Sequence, residues 1–120
     1  MPLTDSIPVD RPAPGVAVIH MPADIDVYTA PAVRELSVQL VMEGRYHQVA
    51  DLTHTRRIDS TGLGVLVGAL KRSRGHGAQV VLVAPTEAVR HTLRITGLAK
   101  VFRIAMTVDE ALDPNPESEA

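Results

Sequence analysis

Four short, mostly apolar runs recur along the chain, separated by longer stretches in which apolar and polar residues mix. Because continuous apolar character is typical of covered strands, it predicts strands over 15–21, 46–52, 79–84 and 101–105. The run from Gln79 to Ala84 is apolar almost throughout, which favours a central place in a sheet. A short edge strand is predicted around Ser6 to Val9, because the nearby prolines cannot donate to a sheet ladder.

The stretches between these runs show helical spacing. The clearest stripe places apolar residues at i, i+3, i+4 and i+7 and predicts a core-facing helix over 61–75. Its members are Leu63, Leu66, Val67 and Leu70. A third helix is predicted over 87–96, and the segment from Thr107 to Glu110 fits a capping box for a short final helix.

An earlier helix is predicted to follow Thr29, whose side chain would cap it, with Pro31 in the first turn and Gly44 as its stop. Its apolar face is predicted from five aliphatic residues, which are Val33, Leu36, Val38, Leu40 and Val41. Strands then alternate with helices, which predicts an α/β domain with a mixed, mostly parallel β-sheet. We divide the chain into an N-terminal segment (1–14), one domain (15–112) and an acidic tail (113–120) that is expected to be disordered.

Loops that follow parallel strands lie at the carboxyl edge of the sheet, where functional sites usually occur. We expect two acidic loops to open there, one with Asp24 and Asp26 and the other with Asp59 and Ser60. Asp26 either caps its own turn or faces the start of the 61–75 helix. Both alternatives remain open at this point.

The most distinctive stretch runs from Ile58 to Gly64. Asp59, Ser60 and Thr61 are residue types that cap helices, and Gly62 and Gly64 allow another surface to come close. A hydroxyl exposed at a helix N-terminus also lies where N–H groups and the helix dipole favour a phosphate. Spacing alone favours the simpler interpretation, in which Ser60 is an N-cap.

Composition excludes several classes of protein. A net charge of −2 gives no general attraction to nucleic acid or anionic membranes, and the few aromatic residues argue against base stacking. The absence of cysteine excludes disulfides and thiolate chemistry. No apolar run approaches the ~20 residues that span a bilayer, and the N-terminus lacks a signal peptide's pattern. We therefore expect a cytoplasmic protein with no membrane segment.

Catalytic and metal-binding patterns are also missing. The sequence has no Gly-x-Ser-x-Gly elbow, no zinc-ligand spacing and no phosphate-binding loop. His54 lies six residues before Ser60, a position along a strand end that is too distant for it to serve as the general base of Ser60. We expect no enzyme activity, no metal and no cofactor.

The segment Asp59-Ser60-Thr61-Gly62-Leu63-Gly64 resembles the phosphorylation segment of the STAS-domain anti-sigma factor antagonists of bacteria. Two further segments, Asp24-Ile25-Asp26 and Ile95-Thr96-Gly97-Leu98, resemble family motifs in the same order. Ala23 and Asp24 stand where the family usually has glycine and glutamate, and Thr55 and Arg57 stand where many members carry apolar or aromatic residues. The resemblance covers about residues 15 to 112 and implies a single STAS-like α/β domain.

The resemblance implies a partner switch. The unphosphorylated protein would bind an anti-sigma factor that is also an ATP-dependent serine kinase, and so release a sigma factor. Ser60 is then the phosphoacceptor, and a metal-dependent serine phosphatase would restore binding. The site would include neighbouring residues, which are Asp24, Asp26, Asp59, Thr61, Gly62, Leu63 and Gly64.

Other interpretations are carried beside this one. The domain could instead bind a small ligand such as a nucleotide, or serve as a subunit of a lipid-transport or stress-signalling complex. A hydrolase that uses Ser60 is a third hypothesis. Arg56 and Arg57 are interpreted as solvated charges, with pairing of one of them to the phosphate as the alternative. Whether the chain forms a homodimer is left open.

Overall fold

The computed structural model describes residues 6–113. The predictions made for residues 1–5 of the N-terminal segment, and for residues 114–120 of the acidic tail, lie outside the described residues. The strands are β1 (Val9–Asp10), β2 (Val16–His20), β3 (Asp24–Ile25), β4 (His47–Asp51), β5 (Arg57–Ile58), β6 (Val80–Val83) and β7 (Arg103–Ala105). The helices are α1 (Ala30–Met42), α2 (Ser60–Gly75), α3 (Glu87–Ile95) and α4 (Val108–Leu112), and a short 3-10 helix covers Leu98–Lys100.

Five of the strands form one sheet in the order β1-β2-β4-β6-β7. Only β1 runs antiparallel to its neighbour, and the other described pairs of this sheet are parallel. The predicted mixed, mostly parallel sheet is therefore confirmed. All four residues of β6 are buried, as the apolar run indicated. The edge strand occupies Val9–Asp10, slightly later than the predicted segment around Ser6 to Val9.

Two very short strands, β3 and β5, pair in parallel beside the main sheet. Asp24 lies opposite Arg57, and Ile25 lies opposite Ile58. The sequence predicted an irregular loop at Asp24, and that prediction is wrong, because two residues are too few to show a strand's alternation. We call this pair the β3–β5 ribbon, and it brings the two acidic loops side by side.

Side chains alternate between the two faces of the main sheet. Ala17 and Ile19 of β2 face the larger core cluster, which α1, α2 and α3 cover with residues such as Leu40, Leu66 and Leu93. Val18 points to a smaller cluster on the opposite face, which is covered by α4 through Ala111. The alternation explains why the strands are apolar throughout.

The buried face of α1 differs in part from the predicted one. Val33, Leu36 and Leu40 are buried as expected, but Val38 and Val41 are only half-buried. Ala32 and Ser37 take the remaining core positions, and the Ser37 hydroxyl donates to the buried Gln48 side chain at 2.6 Å. Ser37 and Gln48 thus link α1 to β4 through a buried polar contact, which an apolar count alone does not indicate.

The ends of two helices show how their caps are built. The amide of Glu110 donates to the Thr107 hydroxyl at 3.1 Å, which confirms the Thr107 half of the predicted capping box of α4. The reciprocal bond differs, because the Glu110 carboxylate accepts from the amide of Met106 and not from that of Thr107. Helix α2 begins at Ser60 and not at Thr61, because Asp59 occupies its N-cap position. No helix within residues 6–113 is long and apolar enough to cross a bilayer.

Candidate functional site

The β3–β5 ribbon places the two acidic loops against the start of α2. The amide of Asp59 donates to the carbonyl oxygen of Ile25 at 3.2 Å, which continues the ribbon by one bond toward the helix. Ile25 and Ile58 are both buried, so the ribbon is anchored in the core by one face. Its other face presents Asp24 and Arg57 outward.

Ser60 is the first residue of α2, and its side chain is exposed. The helix cap comes from Asp59, whose carboxylate accepts from the amide of Gly62 at 2.9 Å. Ser60 is therefore not the N-cap that spacing favoured, and its hydroxyl has no hydrogen-bond partner among residues 6–113. Thr61 is exposed in the same way. The structure thus leaves the Ser60 hydroxyl open to a modifying enzyme.

The glycines of this segment have different surroundings. Gly62 is buried against the backbone of Ile25, so the surface that comes close to it belongs to the chain itself. Leu63 is also buried and packs in the main core. Gly64 is exposed, and nothing lies within 4 Å of the place its Cβ would occupy. Gly62 and Leu63 therefore pack the segment against the core, while Gly64 lies on its exposed surface.

Asp26 closes a tight turn before α1. Its carboxylate accepts from the amides of Tyr28 at 2.9 Å and Thr29 at 3.2 Å, which matches the capping interpretation of this loop. The predicted side-chain cap by Thr29 is wrong. Its hydroxyl donates to the carbonyl oxygen of Asp24 at 2.7 Å and makes no bond to the first turn of α1. The turn fixes the position of the Asp26 carboxylate beside the ribbon.

Arg56 and Arg57 face the carboxylates of Asp24 and Asp26. Arg56 donates to Asp24 through two bonds of 3.0 and 3.2 Å, and these bonds lower the pKa of Asp24 below its usual value. Arg57 lies 3.6 Å from Asp24 and 4.0 Å from Asp26. We call these four residues the rim cluster. Both arginines are exposed, in agreement with their interpretation as solvated charges, and both also lie within ion-pair distance of a carboxylate.

Two apolar side chains stand out beside the rim cluster. Val27 is 58% exposed and Tyr28 is 80% exposed, although both are large and apolar. They follow Asp26 directly and lie in its turn. Sequence reasoning missed them as site residues, because their exposure depends on the turn and is not visible in local periodicity.

A histidine with two carboxylates lies elsewhere on the sheet. The two ring nitrogens of His20 lie 2.8 Å from Asp10 on β1 and 2.8 Å from Asp51 on β4. The hydrogen bond to Asp10 raises the pKa of His20 against the opposing effect of burial, and Asp51 raises it further. Both nitrogens are therefore engaged in holding strands together. No group of three or more side chains within the described residues is arranged to hold a metal ion.

Comparison with known proteins gives a family match over most of the chain. The model of the STAS domain family matches residues 8–111. The anti-sigma-B factor antagonist of Listeria monocytogenes is 41% identical over 87 residues, which cover 72% of this chain and 75% of that protein. The family match includes the whole of the candidate site described above.

Solved structures show the same fold. An anti-sigma factor antagonist from Mycobacterium paratuberculosis superposes with a TM-score of 0.78 at 30% identity, over 88% of this chain and 89% of that one. The anti-sigma factor antagonist SpoIIAA was solved unphosphorylated and phosphorylated, and the two structures superpose with TM-scores of 0.79 and 0.72. They cover 89% of this chain and 93% and 96% of their own. At 18% identity, SpoIIAA shows the fold alone.

Proposed function

The chain belongs to the STAS domain family, and on that premise we propose that it is an anti-sigma factor antagonist controlled by phosphorylation of Ser60. Unphosphorylated, it binds an anti-sigma factor and so releases a sigma factor. The observation that carries the proposal is the Ser60 hydroxyl, exposed at the start of α2 and unbonded within residues 6–113, while Asp59 supplies the cap. A modification of Ser60 therefore leaves the helix cap intact.

The modification is a phosphoryl transfer from ATP, catalysed by the anti-sigma factor acting as a serine kinase. The Ser60 oxygen forms a bond to the γ-phosphorus while the bond from that phosphorus to the ADP oxygen breaks, and the hydroxyl proton leaves to a base. A serine phosphatase reverses the step by adding water across the Ser60 oxygen–phosphorus bond, which returns the hydroxyl and inorganic phosphate. In both directions this chain is the substrate and not the enzyme.

The effect of the phosphate on partner binding follows from two free-energy contributions, one within the domain and one at an interface. The phosphate adds about −1.5 to −2 charges. Within the domain, the N-terminus of α2 stabilises that charge by roughly 0.3–2 kcal/mol, so the fold persists. At an interface the same charge is taken out of water beside the carboxylate of Asp59, and an unpaired buried charge costs about 3–5 kcal/mol. Because ~1.4 kcal/mol is tenfold in affinity, the partner would bind at least about a hundredfold more weakly.

The docking surface in this proposal combines the exposed rim with the apolar turn. Val27 and Tyr28 supply apolar contact area next to the charged rim cluster, and large exposed aromatic residues are frequent centres of binding energy. Gly64 lets a partner approach the first turn of α2 closely, because no side chain covers it. Phosphorylation of Ser60 would place the new charge inside this surface.

The same proposal covers the remaining parts of the chain. We take 15–112 as the working domain. The surroundings of Ser60 in this proposal are the exposed Asp59, Thr61 and Gly64 and the half-buried Asp24 and Asp26. The protein would act in the cytoplasm, where its kinase finds ATP. It would need no cofactor and no direct contact with nucleic acid or membrane. A homodimer is compatible with this mechanism but is not required by it.

Labelling with ATP and the cognate anti-sigma factor tests the proposal. We expect wild type and Thr61→Ala to be labelled and Ser60→Ala not to be, since both substitutions remove an exposed hydroxyl from the same helix turn. Ser60→Asp should bind the anti-sigma factor at least about a hundredfold more weakly than Ser60→Ala. Full labelling of Ser60→Ala, or wild-type affinity of Ser60→Asp, would refute the proposal.

A further inference from the structure

The two arginines of the rim cluster are engaged to very different extents. Arg56 makes a two-bonded fork with the carboxylate of Asp24, at 3.0 and 3.2 Å. Arg57 lies at 3.6 Å from Asp24 and 4.0 Å from Asp26, which are ion-pair distances and not hydrogen bonds. Its guanidinium has no hydrogen-bond acceptor within the described part of the chain. Arg57 is therefore a cation close to both carboxylates, and the N–H donors of its guanidinium make no side-chain hydrogen bond within residues 6–113.

The carboxylates around Arg57 explain why it is held only loosely. Asp24 already accepts both bonds of the Arg56 fork, and Asp26 is fixed by the amides of Tyr28 and Thr29. In this arrangement neither carboxylate accepts a hydrogen bond from Arg57, which lies only at ion-pair distance from both. The Arg57 side chain is 69% exposed, so it can change rotamer without disturbing the core.

The position of Arg57 relative to Ser60 follows from the ribbon. Ile58, which follows Arg57, is buried, so Arg57 lies on the solvent face of β5. Ser60 comes three residues later, at the first turn of α2, and it too is exposed. Three residues of chain place the two Cα atoms at most about 11 Å apart. A flexible arginine side chain and a phosphoserine side chain can extend toward each other across such a separation.

A phosphate is a stronger acceptor for a guanidinium than the carboxylates that Arg57 now faces. It carries nearly two charges and three oxygens, and arginine binds such a group through two parallel bonds. Resting on the proposed phosphorylation of Ser60, we propose that Arg57 leaves Asp24 and Asp26 and pairs with the phosphate. Arg57 is then the residue that positions the phosphate and determines how the modified surface is charged.

This exchange has a consequence for the docking surface. In the unmodified protein, Arg57 partly neutralises Asp24 and Asp26. After the exchange, Arg57 neutralises part of the phosphate, and the two carboxylates lose one of their cations. The uncompensated negative charge that an interface would bury is thus shared by Asp24, Asp26 and the phosphate, so the penalty on docking remains. One modification would change the charge balance at Asp24, Asp26 and Arg57 as well as at Ser60.

The test uses full-length protein with phosphoserine installed at position 60 during translation, so no kinase is needed. The phosphate pKa is measured by phosphorus NMR as a function of pH in three proteins: wild type, Arg57→Gln and Arg56→Gln. Phosphoserine has an ordinary second pKa of about 6, and a paired guanidinium lowers it. We expect Arg57→Gln to raise the phosphate pKa by roughly 1, the small end of the range for an adjacent opposite charge.

Arg56→Gln is the matched control, because it removes the same charge from the neighbouring residue. We expect it to raise the phosphate pKa by less than half as much as Arg57→Gln, since Arg56 stays bonded to Asp24. Arg57→Lys keeps the charge and should recover about half of the shift. Equal shifts in the two glutamine variants, or no shift in Arg57→Gln, would overturn the proposal.

The outcome is separable from that of the proposed function. If kinase labelling of Ser60 fails while the NMR shifts appear, the phosphorylation proposal is wrong and the pairing stands as a property of the site. If labelling succeeds and Arg57→Gln shows no shift, only the role of Arg57 is refuted. Amide spectra of each variant verify that the fold is retained, and Arg57→Lys keeps the test decisive if Arg57→Gln does not fold.

Discussion

Gly62 and the carbonyl oxygen of Ile25 lie so close together that a Cβ atom on residue 62 would overlap that oxygen. The same Cβ would lie 2.8 Å from Cγ1 of Ile58 and 2.9 Å from Cγ2 of Ile25. Real Cβ atoms essentially never show such contacts, and a backbone oxygen cannot move aside as a flexible side chain can. The first turn of α2 is thus seated directly on β3, which fixes Ser60 relative to the acidic loop.

Gly62→Ala should therefore destabilise the protein. We expect the free energy of unfolding to fall by about 1–3 kcal/mol, the range for overpacking a filled site. Urea denaturation of the purified protein measures the change. Gly64→Ala is the control, because Gly64 lies in the same helix with open space around it and should gain about 0.5–1 kcal/mol. Equal effects of the two substitutions would contradict the close contact at Gly62.

The cap of α2 gives a second prediction. Asp59→Ala removes the carboxylate that accepts from Gly62, and we expect a loss of about 1 kcal/mol of unfolding free energy. Ser60→Ala removes a hydroxyl without a described partner and should change stability by less than about 0.5 kcal/mol. Thermal and urea denaturation check both values. A larger effect of Ser60→Ala than of Asp59→Ala would mean that Ser60 caps the helix.

The exposed turn gives a third prediction, which rests on the proposed function. Tyr28→Ala should weaken binding of the anti-sigma factor by at least about fivefold, because a truncated aromatic anchor typically costs more than about 1 kcal/mol. Met42→Ala is a matched control, since Met42 is 82% exposed and Tyr28 is 80% exposed. Met42 ends α1, about 18 Å along the helix from its start. Calorimetric titration distinguishes the two, and similar losses would argue against a docking surface at the turn.

The contacts of His20 with Asp10 and Asp51, which we call the His20 bridge, predict how the stability of the protein depends on pH. Its hydrogen bond to Asp10, assisted by Asp51 and opposed by burial, raises the pKa of His20 in the folded protein. A raised folded pKa means that the stabilising contribution is complete below the unfolded value of about 6.5 and is lost as pH rises through the folded pKa. We therefore expect the stability difference between wild type and His20→Gln to shrink above about pH 6.5.

Urea denaturation between pH 5 and 9 measures this dependence, with histidine NMR titration to locate the pKa of His20. His91→Gln is the control, because His91 is an exposed residue on α3, away from the bridge. A stability difference that stays constant across this pH range would contradict a charged bridge. The bridge joins the edge strand β1 to β2 and β4, so its loss should first increase amide exchange in β1.

Local sequence patterns predicted the larger elements because those elements repeat their signals. The stripe through Leu63, Leu66 and Leu70 covers several helix turns, and the run of β6 has one dominant character. The β3–β5 ribbon has two residues per strand, so no period exists to detect. Its members lie more than thirty residues apart in the chain, and only the folded core brings them together.

The candidate site likewise contains features that local sequence patterns predicted and features that they did not. Ser60 and Asp59 were found as candidates because capping chemistry is local. The fork between Asp24 and Arg56 was missed, because the pairing of two charged loops depends on a register that neither loop encodes alone. Gly62 was expected to admit an outside surface, and the structure shows that its close neighbour is Ile25 of the same chain.

Asp59 caps α2, while the neighbouring Ser60 hydroxyl does not. This arrangement has a consequence for how the proposed switch can evolve. Since the aspartate alone holds the helix start, natural selection can exchange the neighbouring hydroxyl for alanine, or for an acidic residue, without a structural penalty. Under the proposed function, the first exchange gives a descendant that is always active and the second gives one that is always silent. Duplicated genes could thus diverge into regulated and unregulated copies through changes at one codon.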